Sequence, residues 1–144
     1  MDLATLEQQY SVSTEIKVKW GEMDAFQHLN NTVYIRYIED GRIDLFEKLG
    51  MSSNMKNLSI AAILASIQCD YLAPVTYPDT IIVFSKATPT GAKKIEIEHK
   101  LWSTKQNCLV AKSSSVGVYY NFKTSKSCNI PDSVITKLTT IKDA

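Results

Sequence analysis

The feature that most constrains the fold is one long helical pattern set among segments that alternate between polar and apolar residues. Between residues 31 and 49, apolar or small residues recur at helical spacing along one face: Tyr34, Ile38, Gly41, Leu45 and Leu49. Asn30 suits the N-cap position and Gly50 suits the position after the last turn. The pattern therefore predicts a helix over Asn31–Leu49.

This helix is also expected to lie deep in the protein. Val33, Ile35 and Phe46 fall outside the main apolar face, so the helix is apolar over more than half of its circumference. Gly41 in the middle of a helix costs about 1 kcal/mol relative to alanine. We therefore expect the helix to be enclosed and a sheet to approach it closely at Gly41.

Most of the remaining chain alternates as β-strands do. One strand is predicted before the helix and four after it, over Ser13–Trp20, Ala61–Leu72, Thr80–Thr88, Lys94–Ser103 and Leu109–Phe122. The first of these has one apolar side, made of Val12, Ile16, Val18 and Trp20. Short connections rich in turn residues separate the later strands, which favours antiparallel pairing.

The order of these elements predicts the fold class and the domain organisation. One long helix against a strongly bent antiparallel sheet is an α+β arrangement. A final short helix is predicted over Pro131–Ile141, with Val134, Leu138 and Ile141 on one face. No repeat, low-complexity tract or linker divides the chain, so residues 1–144 are predicted to form one domain. A curved sheet leaves edge strands open, so we expect two chains to pair edge to edge.

Composition excludes several classes of protein. The net charge of +1 gives no basic surface for nucleic acid. Cys69, Cys108 and Cys128 are widely separated and odd in number, so neither a disulfide framework nor a zinc site is expected. The amino terminus has no apolar segment typical of a signal peptide, and the longest apolar run, residues 60–65, is too short to span a membrane. We expect a cytoplasmic protein without a metal, a cofactor or a membrane partner.

The segment from Val18 to Phe46 carries the residues best suited to chemistry. It places Asp24 in the loop that leads into the long helix. The backbone N–H groups of a first helical turn are unpaired and carry a partial positive charge, which suits them to hold a developing oxyanion. A carboxylate beside such a site is sufficient for acyl transfer, above all when the leaving group is a thiolate that needs little protonation.

The same segment resembles a known family. The run from Asp24 to Asn31, followed by Tyr34, Tyr37, Glu39 and Arg42, is similar to the D-x-x-x-H-x-N-N-x-x-Y-x-x-Y-x-E-x-x-R signature of the 4-hydroxybenzoyl-CoA thioesterase family. The resemblance implies the hotdog fold, in which a curved antiparallel sheet wraps around one central helix. It also implies that a dimer is the minimal unit, with active sites between two subunits.

By position in this signature, Asp24 corresponds to the catalytic carboxylate, which acts as a nucleophile or as a general base. Asn31 corresponds to the residue whose backbone N–H polarises the thioester carbonyl. The family often has glycine where this chain has Gln27, but many members with this Asn-Asn form have another residue there, so the difference is minor.

The other residues of the motif have structural as well as functional interpretations. Three roles are considered for His28: orienting Asp24, contacting the acyl carbonyl, or only closing the loop. The last, structural role is favoured. The predicted substrate-binding residues are Asn30, Tyr34 and Glu39. Asn30 is best explained as an N-cap that fixes the oxyanion donors, and Tyr34 as a core or interface aromatic. Glu39 is placed to pair with Arg42, although a buried carboxylate with a raised pKa is the alternative.

Two further sets of residues are weighed for roles in binding. For the CoA moiety the available side chains are Lys86, Lys93, Lys94, Lys112 and Ser113–Ser115, and no spacing singles one out. His99 alternates with strand residues and is interpreted as structural.

Three other functions remain open on this reasoning. A dehydratase of acyl thioesters on the same fold would use His28 and Glu39. An acyl-CoA-binding protein would not need Asp24, and a thioesterase acting on acyl carrier protein would differ only in its partner. The sequence favours a cytoplasmic, cofactor-free acyl-CoA thioester hydrolase that forms a homodimer or a dimer of dimers.

Overall fold

The computed structural model describes residues 1–10 and 12–143, with the backbone alone for residues 140–143. The helices are α1 (Leu3–Gln9), α2 (Asn31–Lys48), α3 (Met51–Leu58) and α4 (Asp132–Asp143). The strands are β1 (Val12–Lys17), β2 (Ile60–Tyr71), β3 (Thr80–Pro89), β4 (Lys94–Ser103), β5 (Cys108–Asn121) and β6 (Lys126–Ser127). A short 3-10 turn over Trp20–Glu22 lies between β1 and α2.

The main strands form one antiparallel sheet in the order β1-β3-β4-β5-β2, and the two-residue β6 pairs with the end of β5. Strand β2 is the long edge of this sheet, and its register shifts between Leu64 and Ser66. Helix α2 packs on the inner face of the sheet, mainly against β1 and β3. This arrangement confirms the predicted α+β class, with a curled sheet around one long helix.

Helix and sheet approach each other closely at Gly41, as the sequence predicted. A Cβ atom at this position would lie 2.5 Å from Cγ1 of Val83 and 2.8 Å from Oγ of Ser85. On either side of this point, α2 buries Tyr37 and Ile38 towards one core cluster and Leu45 towards another. Glycine therefore lets the axis of α2 sit close enough to β3 for both clusters to close.

The predicted enclosure of α2 is not met in the single chain. Arg36, Ile43 and Glu47 lie on an exposed face of the helix, and the side chain of Ile43 is 51% exposed. The carboxyl group of Asp44 is also near the surface, where it accepts a hydrogen bond of 2.6 Å from Thr14. The sheet curls over one side of the helix only, and the opposite side faces outwards.

The first strand ends earlier than predicted. Strand β1 stops at Lys17, and Trp20 lies in the following 3-10 turn with 77% of its surface exposed. Val12 and Val18 are buried as expected, so the alternation was correct for the strand itself. The prediction that Trp20 shares their buried side was wrong, because the chain turns away from the sheet before reaching it.

Two helices were not predicted. Helix α1 places Leu6 on the outer face of the sheet, and Tyr10, which caps it, packs there against Phe84 and Trp102. Helix α3 contains no buried residue. Both are short and mostly polar, so they show little of the apolar periodicity that identifies a helix in sequence.

The terminal helix was predicted almost correctly. Helix α4 begins at Asp132, and Val134 and Leu138 are both buried. The predicted role of the Ile141 side chain lies outside the described residues. In the part of the chain that the structure describes, no helix combines the length and the apolar character needed to cross a bilayer.

Candidate active site

A tightly closed loop holds Asp24 at the start of α2. Met23 pairs with Leu29 as an isolated antiparallel bridge, and the Asp24 N–H donates to the His28 carbonyl at 2.8 Å. The Leu29 N–H donates to the carbonyl of Val75, which fastens the loop to the β2–β3 connection. Gln27 has a positive φ of 63°, a conformation that glycine adopts at less steric cost than other residues.

One carboxylate oxygen of Asp24 is fixed by the backbone. Oδ1 accepts the N–H of Phe26 at 2.8 Å and the N–H of His28 at 3.4 Å. Within residues 1–10 and 12–143, Oδ2 of this side chain has no hydrogen-bond donor. The side chain is half-buried, so the carboxylate is oriented by one oxygen and accessible through the other.

The Asp24 loop borders an open cleft of about 570 Å³. Its walls come from the loop and from the β2–β3 connection: Trp20, Gly21, Met23, Asp24, Gln27, Thr76 and Tyr77. A cleft of this volume is within the range of small-molecule sites. The carboxylate therefore lies where a substrate can reach it.

The first turn of α2 lies next to this loop. Asn30 is the N-cap, as predicted, and its Oδ1 accepts the N–H of Thr32 at 3.1 Å. Its backbone carbonyl accepts the N–H of Val33 at 2.9 Å. For the backbone N–H of Asn31 no acceptor is found among the described residues, so this donor is available to a ligand. The arrangement is the unpaired helix start that the sequence predicted.

Two tyrosines form a wall beside this helix start. Tyr34 is buried, and its hydroxyl donates to the carbonyl of Ala73 at 3.0 Å. Tyr71, at the end of β2, donates to the carbonyl of Asn31 at 3.2 Å and packs edge-on against Tyr34 with ring centroids 5.0 Å apart. Burial is the main cause that raises the pKa of Tyr34, and the negative charge of Asp24 adds to it. The Tyr34 hydroxyl is therefore already engaged by the Ala73 carbonyl.

His28 and Glu39 are placed differently from Asp24 and Asn31. His28 is exposed and meets Asp24 through its backbone groups, with no hydrogen bond from its ring to the carboxylate among the described residues. Glu39 lies eight residues beyond Asn31, about 12 Å along the helix axis. Its side chain is 43% exposed and pairs with Arg36 at 3.1 Å and Arg42 at 3.9 Å. The ion-pair interpretation of Glu39 is therefore confirmed, and the buried-carboxylate alternative is not.

Among the described residues that line the cleft beside Asp24, none is a lysine that was weighed for CoA binding. Lys86 pairs with Glu98 at 3.6 Å and Lys112 with Asp70 at 3.9 Å, on the face of the sheet opposite α2. Lys105, which the sequence analysis did not select, donates to the Thr76 hydroxyl at 2.8 Å beside the cleft. A sequence gives no signal for this lysine, because folding alone brings the β4–β5 turn to the β2–β3 connection.

The serines proposed for CoA binding have separate environments. The Ser113 hydroxyl donates to the carbonyl of Gln68, and the Ser114 hydroxyl donates to Glu96. Ser115 is buried in the core. Across the described part of the chain, no group of three or more His, Cys, Asp or Glu side chains comes together that could hold a metal ion.

Comparison with known proteins places this chain among thioesterases. The family description "thioesterase-like superfamily" matches residues 18–138. The uncharacterized protein YsmA of Bacillus subtilis is 31% identical over 90 residues, which are 62% of this chain and 60% of that protein. The long-chain acyl-CoA thioesterase FadM of Escherichia coli is 24% identical over 127 residues, which are 88% of this chain and 96% of that enzyme.

The fold has counterparts among solved structures. The PA2801 protein of Pseudomonas aeruginosa superposes with a TM-score of 0.78 at 28% identity, covering 89% of this chain and 98% of that one. The curled sheet around α2 is thus the hotdog arrangement that the motif implied. Since the family match spans most of the sequence, including Asp24 and all of α2, the chain belongs to the thioesterase-like superfamily.

Proposed function

We propose that this protein hydrolyses acyl-CoA thioesters to a free acid and the CoA thiol. The observation that carries the proposal is the pairing of Asp24 with the start of α2. Asp24 has one carboxylate oxygen held by backbone N–H groups, and the neighbouring N–H of Asn31 has no acceptor among the described residues. The cleft of about 570 Å³ beside them supports access by a small molecule.

In the proposed mechanism, the thioester carbonyl oxygen accepts a hydrogen bond from the N–H of Asn31. The partial charge of about +0.5 at the N-terminus of α2 stabilises the oxyanion that develops. Asp24 then acts in one of two ways. As a nucleophile, it attacks the carbonyl carbon, the C–S bond breaks, and water hydrolyses the resulting mixed anhydride. As a general base, it takes a proton from water, whose oxygen attacks instead.

The leaving group makes a strong general acid unnecessary. A thiol with a pKa of about 8.5 leaves as a thiolate and takes its proton from solvent. His28 is proposed to orient the loop of Asp24 through its backbone and to face the substrate with its exposed ring. Asn30 is proposed to position the oxyanion donor, because its side chain caps α2. Tyr34 is proposed to position the acyl group, because it supports the first turn of α2.

The proposed working unit is a homo-oligomer built on a dimer. Strand β2 is a twelve-residue edge with apolar side chains left partly exposed, among them Ile63 at 41%, Leu64 at 39% and Ile67 at 37%. An open edge of this length pairs readily with another strand. A second copy of β2 would cover these side chains and bring two Asp24 loops to a shared interface.

The proposed substrate is a CoA thioester, and the same acyl group on a carrier protein is the alternative that the assay below distinguishes. The similarity to FadM supports the choice of carrier, since that relative is a long-chain acyl-CoA thioesterase. A cytoplasmic location is part of the proposal, because Cys69, Cys108 and Cys128 are all free thiols.

The dehydratase alternative is less well supported. It requires an imidazole and a helix carboxylate at one reacting centre, whereas His28 is exposed and Glu39 is held in ion pairs about 12 Å further along α2. A protein that only binds acyl-CoA would not need the oriented carboxylate of Asp24.

The test is a thiol-release assay with acyl-CoAs of graded length, run beside the same acyl groups on carrier protein. A 3-hydroxyacyl-CoA is included, with detection of both free thiol and enoyl product. Release of CoA thiol with saturation kinetics supports the proposal. Enoyl product without thiol indicates a dehydratase, and tight binding without either product indicates a binding protein.

A further inference from the structure

One wall of the Asp24 cleft carries a lysine from a neighbouring turn. Thr76, in the β2–β3 connection, lines the cleft. The β4–β5 turn lies against this connection, where Nε2 of Gln106 donates to the carbonyl of Pro74 at 2.7 Å. Nζ of Lys105 donates to the hydroxyl of Thr76 at 2.8 Å and to its carbonyl at 3.1 Å. The ammonium group of Lys105 is therefore fastened to the wall of the cleft.

A buried carboxylate holds the turn that presents this lysine. Asp79 is 8% exposed, and its Oδ1 accepts the backbone N–H of Lys105 at 3.1 Å. Its Oδ2 accepts the hydroxyl of Ser103, which in turn accepts the backbone N–H of Gln106 at 3.0 Å. Two consecutive backbone N–H groups of the turn are thus fixed, so Lys105 is positioned before any ligand binds.

The charge of Lys105 is not balanced by a carboxylate. Within residues 1–10 and 12–143, no Asp or Glu side chain forms an ion pair with its ammonium group, whereas Lys86 and Lys112 each have one. Asp79 contacts Lys105 through the backbone N–H and not through Nζ. An ammonium group has three donors, and here the bonded acceptors are neutral oxygens of Thr76. The positive charge and a further donor are therefore available to an anion.

The hydroxyl of Thr76 adds a second donor at the same place. Because its oxygen accepts a hydrogen bond from Lys105, its own proton is free to be donated. Among the described residues this proton has no acceptor, and Thr76 lines the cleft. An ammonium group and a hydroxyl 2.8 Å apart suit two oxygens of one phosphate group.

We propose that Lys105 and Thr76 bind the phosphate group that joins pantetheine to the nucleotide in CoA. This inference rests on the proposed thioesterase function and assigns residues that recognise the CoA part of the substrate. Lysine binds phosphate as a compact charge, and the neighbouring hydroxyl adds a directed hydrogen bond. The pair acts on substrate binding and takes no part in breaking the C–S bond.

The distance to the proposed oxyanion donor agrees with this assignment. Leu29 lies two residues before Asn31, and its N–H donates to the carbonyl of Val75, the neighbour of Thr76. With about 3.8 Å between consecutive Cα atoms and about 5.5 Å across a hydrogen-bonded pair, the Cα atoms of Asn31 and Thr76 are at most about 17 Å apart. In CoA, about 13 bonds of about 1.5 Å separate the sulfur from the first phosphorus, about 16 Å when extended. The pantetheine arm is therefore long enough to join the two places.

The test measures thiol release from three forms of one thioester. The acyl group is the one that the natural protein hydrolyses best, carried on pantetheine, on 4′-phosphopantetheine or on CoA. All three share the thiol arm, and the last two add the phosphate next to it. The natural protein is expected to have a KM at least about tenfold lower for the two phosphorylated carriers than for pantetheine, because a hydrogen bond to a charged group has that effect on affinity.

The main variant is Lys105→Gln, because glutamine keeps an amide that can donate to Thr76 but has no charge. Its KM for both phosphorylated carriers should rise about tenfold, with kcat within about twofold and the KM for the pantetheine thioester unchanged. Lys105→Arg keeps the charge and should restore most of the affinity. The matched control is Lys123→Gln, an exposed lysine in the turn after β5, which should leave all three KM values unchanged. Thermal unfolding checks that each variant is folded.

An unchanged KM for the acyl-CoA in Lys105→Gln would overturn the inference. An equal rise for the pantetheine thioester would also overturn it, because that result would show only that the turn had lost its position. A rise confined to CoA would place Lys105 at the nucleotide end and would contradict the assignment to the first phosphate.

Failure of the proposed function gives a different result, in which the natural protein releases no thiol from any of the three carriers. Calorimetric titration with CoA and with pantetheine then tests the phosphate contact without turnover. CoA should bind Lys105→Gln at least about tenfold more weakly than the natural protein, and pantetheine should bind both proteins equally. Equal affinity of the two proteins for CoA would overturn the inference whether or not the protein is a thioesterase.

Discussion

The hydroxyl of Tyr71 donates a 3.2 Å hydrogen bond to the backbone carbonyl of Asn31, which joins the end of edge strand β2 to the first residue of α2. Tyr71→Phe should therefore loosen the helix start that holds the proposed oxyanion donor. We expect kcat to fall several-fold with a smaller change in KM, and stability to fall by no more than about 1 kcal/mol because Tyr71 is 47% exposed. Steady-state kinetics and urea unfolding measure the two effects.

The control is Tyr120→Phe, since that ring lies towards the far end of β5 and packs on Phe122. Equal losses of kcat in the two variants would argue against a specific role for the bond between Tyr71 and Asn31.

Gly41→Ala should destabilise the protein, although alanine normally strengthens a helix by about 1 kcal/mol relative to glycine. The new Cβ would lie 2.5 Å from Cγ1 of Val83, and overpacking of this kind costs about 1–3 kcal/mol. The double variant Gly41→Ala, Val83→Ala should lose less stability than the two single losses added together. Strict additivity in denaturant unfolding would show that the two side chains do not compete for the same space.

Acid should destabilise the fold through His99. Burial, the largest cause, and the charge of Arg42 lower the pKa of His99 to about 3, whereas the ordinary value is 6.5. Between these values the unfolded chain binds a proton that the folded chain does not, so stability from this group is complete above pH 6.5 and falls as the pH falls. The expected loss at pH 5 relative to pH 8 is about 2 kcal/mol.

The measurement is denaturant unfolding from pH 8 to pH 4.5 for the natural protein, His99→Asn and His28→Gln. His99→Asn should have a flatter pH dependence, whatever its stability at pH 8. His28 is exposed, so His28→Gln should follow the natural protein. Parallel curves for all three proteins would show that His99 is not buried in its neutral form.

Leu64→Asp should weaken the proposed dimer. Leu64 is a 39% exposed apolar side chain on β2, the edge that we expect a second chain to cover, and a buried unpaired charge there is unfavourable. Light scattering after size-exclusion chromatography should give a dimer or a dimer of dimers for the natural protein and smaller species for the variant. Ile135→Asp is the matched control, since Ile135 is 38% exposed but lies on α4. Unchanged mass for Leu64→Asp would place the interface elsewhere.

The sequence was informative where one physical requirement decides the residue type. We predicted the helix α2, the cap at Asn30 and the close approach at Gly41. Helical periodicity, capping and the lack of a side chain each have one simple physical explanation. The position of Asp24 in the short loop before α2 followed from the same reasoning.

Other parts of the site depend on contacts between distant segments, which one sequence does not show. Tyr71, Tyr77 and Lys105 reach the Asp24 region only because the sheet curls and brings the β2–β3 connection to the helix start. Trp20 was assigned to a buried face because its spacing fitted the strand. However, β1 ends at Lys17, and Trp20 lies in the 3-10 turn that follows. The alternative interpretation of Glu39, as a buried carboxylate, depended on full enclosure of α2, which the single chain does not provide.

The most direct measurement of the central claim is thiol release from an acyl-CoA by the natural protein and by Asp24→Asn. Asparagine keeps an oxygen that can accept the N–H groups of Phe26 and His28, so the loop and the unfolding midpoint should be preserved. Loss of the carboxylate should lower kcat by about 10²–10⁴-fold, which is the usual contribution of a positioned general base. A folded Asp24→Asn variant that releases thiol at nearly the natural rate would contradict the account.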